Sequence, residues 1–209
     1  MPHTVIVAGG ACDLSKHKDI LNDAYLIGAD RGALYLAEGG YNIDMAVGDF
    51  DSVSESEMEK IYKASGEVEK LSADKDETDL EHAIKHAIRI TAGTVHILGA
   101  TGTRLDQTLS AINLLKLLRE NGRDAYIYDR NNRICLIEGH AELTKSRYRY
   151  VSLIPYGDIM TNVSLKGFKY SGDRLTLERK SSLGISNEIV DDTAVINCRG
   201  YLFLFESED

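Results

Sequence analysis

The 209-residue chain is poor in the features that mark several large protein classes. Its three cysteines, Cys12, Cys135 and Cys198, are odd in number, far apart and in no C-x-x-C arrangement, which leaves neither a disulfide framework nor zinc-ligand spacing. Positive charge is also scarce: 24 Lys and Arg face 33 Asp and Glu, a formal net charge of −9. No nucleic-acid footprint is expected on such a chain, nor a basic stripe interleaved with aromatic residues. No stretch approaches the roughly 18 apolar residues of a membrane span, and Met1 to Gly10 is a short apolar run without a basic n-region. A cytoplasmic protein with no membrane partner is therefore expected. Internal repeats, low-complexity tracts and long linkers are missing as well. What remains is an ordinary globular composition, 43% hydrophobic, enough for one large domain or two small ones.

Up to about Arg130, short β-rich runs alternate with longer amphipathic stretches, the pattern of a βαβ sheet protein. Strands are predicted at Thr4 to Ala8, Tyr25 to Ala29, Met45 to Val47, Val95 to Leu98 and Ala125 to Tyr128. Helices are predicted at Ser15 to Asn22, Arg31 to Glu38, Ser54 to Ala64, Asp79 to Ile90 and Leu105 to Glu120. The reading is an α/β domain over 1–130 with a mostly parallel sheet and helices on both faces. From about Asn131 the helical period disappears and alternating runs are separated by turn signals such as Tyr156-Gly157-Asp158 and Ser171-Gly172-Asp173, so 131–209 reads as a small all-β sandwich domain. In Tyr201 to Phe205 aromatics occupy one face and leucines the other, which predicts a central strand or one covered by a second subunit.

The chemistry concentrates where strands end. Val47-Gly48-Asp49-Phe50-Asp51-Ser52 sets two carboxylates two residues apart after an apolar run, and in extended backbone both would point the same way. At an effective dielectric near 20, carboxylates about 4 Å apart repel by roughly 4 kcal/mol, so the pair calls for a cation, for which magnesium suits. The same residues could equally form a polar turn capping the next helix. A second run, Asp74-Lys75-Asp76-Glu77-Thr78-Asp79, precedes a helix with apolar positions Leu80, Ala83, Ile84, Ala87 and Ile88; Asp76 as N-cap with Asp79 three residues on also resembles a capping box. A third, Gly99 to Gln107, combines two glycines with Arg104 and Asp106 at a helix start, a setting for phosphate oxygens. The fourth is Gly28-Ala29-Asp30-Arg31-Gly32. Acids clustered with Arg at one sheet edge point to a metal-bound polyphosphate.

In order and spacing these segments, with Ile185-Ser186-Asn187-Glu188, resemble the thiamine pyrophosphokinase family over nearly the whole chain. The resemblance implies an N-terminal α/β domain, a C-terminal β-sandwich that binds thiamine and dimerises, a homodimer, and Mg2+-dependent transfer of pyrophosphate from ATP to thiamine with release of AMP. It implies Asp49, Asp51 and Asp79 as catalytic and metal-holding carboxylates, with Asp76 as a further metal ligand. Asp30, Arg31, Ser52, Thr78, Arg104, Asp106 and Gln107 are implied as ATP contacts, and Ser186 and Asn187 as thiamine contacts. The chain departs from the family at Thr103, where a glycine is usual, and at Gln107, where a histidine is usual. It has no Trp, so a Tyr, Phe or aliphatic residue must supply any stacking against the vitamin.

The residue types suit that reaction on their own. A hydroxyl attacking the β-phosphorus of ATP is repelled by phosphate oxygens until a metal and an Arg neutralise them. An ordinary Asp is a weak base, so positioning and charge stabilisation rank above proton removal. Three other readings share some of these motifs: a haloacid dehalogenase-type phosphatase built on Asp49-Phe50-Asp51, a pyrophosphokinase acting on a pterin alcohol, and a non-enzymatic nucleotide sensor.

Overall fold

The computed structural model describes residues 3–72, 74 and 76–209 and divides into two compact units, Met1–Arg130 and Asn131–Asp209. Lys75 of the second acidic run lies outside the described residues. The first unit is built on six parallel strands: β1 (His3–Val7), β2 (Tyr25–Ala29), β3 (Ile43–Gly48), β4 (Ser65–Lys70), β5 (Thr94–Leu98) and β6 (Ala125–Tyr128). Their order across the sheet is β6-β5-β1-β2-β3-β4. Val5, Ile6 and Val7 are fully buried because both faces are covered, as parallel strands require. The helices α2 (Arg31–Glu38), α3 (Glu55–Ala64), α4 (Asp79–Ile90) and α5 (Leu105–Glu120) do the covering. On one face Val5, Val7, Leu26, Ile43 and Ala46 form a core with Leu34 and Leu36 of α2 and Ile61 of α3. The helical spacing of α4 buries Ala83, Ile84 and Ala87, and this helix packs on β1 to β3.

Three local differences from the sequence reading have physical causes. The expected helix at Ser15 to Asn22 is a 3-10 turn, Leu14–His17, running into a single turn α1 (Lys18–Leu21); the Asp13 carboxylate caps it by accepting from the Ser15 amide at 3.2 Å. The β4 strand was not expected, since Val68 is the one aliphatic residue in Ser-Gly-Glu-Val-Glu-Lys. It is an edge strand whose charges blunt the open edge, and pairing with β3 rather than side-chain burial makes it a strand. The N-cap of α4 is Thr78, whose hydroxyl accepts from the Glu81 amide at 3.2 Å, so Asp76 lies ahead of the helix and is not its cap.

A half-buried histidine sets an acid limit on the first unit. His96 in β5 shares a 3.0 Å hydrogen bond with the Tyr128 hydroxyl and meets His3 edge-on at 5.5 Å. Burial first, then the nearby His3, lower its pKa from 6.5 to about 4. The folded state thus keeps His96 neutral while the unfolded chain takes a proton below about pH 6.5. Stability present above that value is lost as pH falls from 6.5 towards 4, by on the order of 1 kcal/mol at pH 5 after discounting for partial solvent access. Urea unfolding at pH 7 and pH 5 should register this loss, and His96→Leu should flatten it.

The second unit is all β: β7 (Asn132–Thr144), β8 (Tyr150–Pro155), β9 (Ile159–Lys166), β10 (Gly172–Glu178) and β11 (Thr193–Ser207). Along one edge β11 pairs antiparallel with β7; along the other it pairs with β9 from Val195 to Asn197 and with β8 from Leu202 to Ser207. The change of partner falls at a register shift between Asn197 and Tyr201, the bulge by which one strand serves two sheet halves. Leu202, Phe203 and Leu204 are buried between β7 and β8, so Tyr201 to Phe205 is a central strand as expected. Contrary to expectation, Arg147-Tyr148-Arg149-Tyr150 does interleave basic and aromatic residues, with Arg147 4.6 Å from the Tyr148 ring and Arg149 5.1 Å from the Tyr150 ring. Each Arg also pairs with a carboxylate, Arg147 with Glu208 at 3.4 Å and Arg149 with Glu188 at 3.2 Å, so the run is charge-compensated. Among the described residues no helix is long and apolar enough to cross a membrane.

Candidate active site

The strand order puts a topological switch between β1 and β5, the crevice at which ligands bind in open α/β sheets. A cavity of about 540 Å³ opens there, walled by Gly9 and Gly10 after β1, Gly99 to Arg104 after β5, and Gln107 and Thr108 of α5. Asp30, Asp49 and Glu77 to Leu80 complete the wall. Gly99 has φ +67, and a Cβ there would lie 2.4 Å from the Ala8 carbonyl oxygen, so only glycine lets the two loops come this close. With side chains absent, the loop backbones can approach an anionic ligand.

At the ends of β2 and β3, carboxylate oxygens of Asp30, Asp49 and Asp51 lie within 4.8 Å of one another. Asp49 and Asp51 do not converge by strand alternation, because β3 ends at Gly48. Phe50 turns into the core with φ +56, an uncommon conformation for a bulky residue, and the chain folds around it. The Asp51 amide then donates to Asp49 Oδ1 at 3.2 Å. Asp30 has φ 49 and ψ −124, also outside the ordinary regions. Its amide donates to the Val47 carbonyl at 2.8 Å, Oδ2 accepts from the Ser52 hydroxyl at 3.0 Å, and Oδ1 is buried without a hydrogen-bond partner. Burial, with the Asp79 and Asp49 charges adding to it, raises the Asp30 pKa against the opposing Ser52 hydroxyl. A dry, unpartnered carboxylate oxygen beside two further carboxylates suits a hard divalent cation with oxygen ligands.

The other residues singled out from the sequence fall into distinct places. Thr78, Asp79, Arg104 and Gln107 line the cavity with Asp30 and Asp49. Asp51 belongs to the carboxylate group but not to the cavity wall, and Asp76 is exposed and belongs to neither. Arg31 and Ser52 are likewise off the wall, where Arg31 Nη1 donates to the Ser52 carbonyl at 3.2 Å. Asp106 is also off it, gripping Arg104 at 2.5 Å, a contact that holds its carboxyl below the usual range. Ser186 and Asn187 belong to the second unit: Ser186 is exposed at φ +58, and the Asn187 side chain is spent on the Tyr170 backbone, accepting from its amide and donating to its carbonyl at 3.0 Å each. Sequence reading did not single out Gly9, Gly10, Glu77 or Thr108. The Gly-Gly pair straight after the first apolar run was a usable signal for the first two; Glu77 and Thr108 are cavity residues only because of where the fold carries them.

Two family models match the chain: thiamin pyrophosphokinase, catalytic domain, over residues 17–127, and thiamin pyrophosphokinase, vitamin B1 binding domain, over residues 140–202. The thiamine pyrophosphokinase of Bacillus subtilis (strain 168) is 32% identical over 209 residues, 98% of each chain. Among solved structures, thiamine pyrophosphokinase from Bacillus subtilis superposes with a TM-score of 0.90 at 31% identity over 99% of both chains. The thiamin pyrophosphokinase from Geobacillus thermodenitrificans gives 0.88 at 32% identity, over 99% of this chain and 98% of that one.

Proposed function

Since the chain belongs to the thiamine pyrophosphokinase family, we propose that it moves the pyrophosphoryl group of ATP to the hydroxyl of thiamine, giving thiamine diphosphate and AMP, with Mg2+ held by carboxylates of the first unit. The observation that carries the metal assignment is the convergence of Asp30, Asp49 and Asp51 with one buried oxygen left unpartnered. Asp79, at the cavity wall near Asp30, is the fourth carboxylate of this reading, and Asp76 has no part in it. When bound, the ion would neutralise phosphate charge that otherwise repels the incoming hydroxyl.

The chain's own groups account for the rest. The new bond joins the thiamine oxygen to the β-phosphorus, the bond between that phosphorus and the α-β bridging oxygen breaks, AMP carries that oxygen away, and the hydroxyl proton is released to solvent. Arg104 supplies planar donors for phosphate oxygens and the glycine loops supply close backbone. Aligning hydroxyl and phosphorus is the larger contribution, since positioning alone can lower a barrier by roughly 7 to 11 kcal/mol. In the second unit, Ser186 offers an exposed hydroxyl to the vitamin. Tyr170, exposed and with its backbone fixed by Asn187, is the ring we assign to stack on the cationic thiazolium in this Trp-free chain. Action as a homodimer in the cytoplasm is part of the same proposal and draws its support from the family resemblance.

Incubating the purified chain with ATP, Mg2+ and thiamine should yield equal amounts of AMP and thiamine diphosphate, while a dihydropterin alcohol in place of thiamine yields none. Absence of AMP with thiamine would refute the assignment.

A further inference from the structure

Arg31 and Ser52, both expected to contact ATP, hydrogen-bond to each other off the cavity wall. Asp30 and Arg31 are neighbours in the turn after β2, and both reach across to a single residue of the turn after β3. The Ser52 hydroxyl donates to Asp30 Oδ2 at 3.0 Å, and the Ser52 carbonyl accepts from Arg31 Nη1 at 3.2 Å. The two bonds close a ring between the turns. Arg31 also approaches Glu57 of α3 at 3.9 Å, and Glu57 completes a capping box with Ser54, so the turn is tied to the start of the following helix as well. Neither Arg31 nor Ser52 belongs to the cavity wall.

The turns need such a tie. Asp30 and Phe50 both have positive φ, and conformations of this kind persist only where their surroundings over-determine them. Three carboxylates held within 4.8 Å also push the turns apart. The Ser52 bond engages Oδ2 of Asp30 and leaves buried Oδ1 as the oxygen without a partner. Groups that hydrogen-bond to metal-ligating carboxylates orient them for the ion.

We propose that Ser52 and Arg31 are positioning residues that preset the Asp30, Asp49 and Asp51 carboxylates for a divalent cation, and that they do not bind the nucleotide. The inference rests on the cation-holding role proposed above for those three acids.

Mn2+ serves as probe, its binding to the full chain without nucleotide read from the electron paramagnetic resonance signal of the free ion. Ser52→Ala should weaken Mn2+ binding by about 10- to 100-fold in a chain that still folds, while Ser52→Thr, which keeps the hydroxyl, should restore it. Arg31→Gln cuts the same ring at its other bond and should also weaken binding. In AMP formation at saturating Mg2+, Ser52→Ala should leave the half-saturating ATP concentration in place. Wild-type Mn2+ affinity in Ser52→Ala, or a raised half-saturating ATP concentration, would overturn the proposal. Asp51→Asn separates the two levels: if it binds Mn2+ as the wild type does, the carboxylate assignment itself fails, whereas loss in Asp51→Asn with none in Ser52→Ala defeats the positioning role alone.

Discussion

Asp49→Asn should cut thiamine-dependent AMP formation by about a thousandfold and yet, without divalent ions, unfold at a temperature no lower than the wild type. The first half follows from removing one of the four carboxylates assigned to the cation, since the charge stabilisation an ion supplies amounts to several kcal/mol and each 1.36 kcal/mol is tenfold in rate. The second half follows from the geometry of the carboxylate group itself. Carboxylates closer than 4.8 Å repel one another by on the order of 3 kcal/mol at an effective dielectric near 20, before solvent screening reduces it. Asparagine removes that repulsion and keeps an oxygen that can still accept from the Asp51 amide, so the turn around Phe50 is preserved. Activity and stability thus move in opposite directions, as they do where a site is built against the preference of the fold. An activity assay paired with thermal unfolding in a chelator measures both. Wild-type turnover would refute the cation assignment, and a large drop in midpoint would mean that Asp49 holds the fold rather than an ion.

Gly32→Ala should be the most destabilising single methyl in the first unit. In an exposed helix, replacing Gly by Ala stabilises by roughly 0.5–1 kcal/mol. Gly32 is the second residue of α2, and a Cβ there would lie 1.9 Å from the Val7 carbonyl oxygen and 2.4 Å from its carbon. Both atoms belong to the fully buried centre of the sheet, with no flexible side-chain end to give way. The helix start must lift from β1, at a cost of about 3 kcal/mol or more. In a chain of this size that is roughly 6–12 °C in unfolding midpoint. Because Asp30 and Arg31 precede Gly32 directly, the displacement also disturbs the carboxylate group, and Mn2+ binding should weaken in whatever fraction remains folded. Gly40→Ala, where no atom lies within 4 Å of the added carbon and the only difficulty is φ +76, should cost about 1 kcal/mol. Equal midpoints for the two variants would show that α2 does not sit against β1 as described.

Much of the architecture was readable because it rests on local pattern. Tyr25–Ala29, Arg31–Glu38, Asp79–Ile90, Leu105–Glu120 and Ala125–Tyr128 coincide with the elements found, each having a clear period or a marked end. The β4 strand was not readable, since an edge strand of Glu and Lys has no apolar period and exists through its partner. The pairing of Asp49 with Asp51 was anticipated for the wrong reason: extended backbone was expected, and a turn around Phe50 achieves it.

Spacing and residue type in the chain were enough to determine the two-part organisation, most element boundaries of the first unit, the family and the acid-bearing turns at the strand ends. They could do so because helix and strand periods, caps and motif spacings act over a few residues and survive in any arrangement of the elements. Which acids meet was decided only by the fold. Asp30 joins Asp49 and Asp51 because β2 lies beside β3, whereas Asp76 stays outside because Thr78 caps α4. Gly10 meets Gly99, its amide donating to the Gly99 carbonyl at 2.8 Å, because β1 pairs with β5 far along the chain. Strand order is a property of the whole sheet, set by burying both of its faces at once, and no window of sequence contains it.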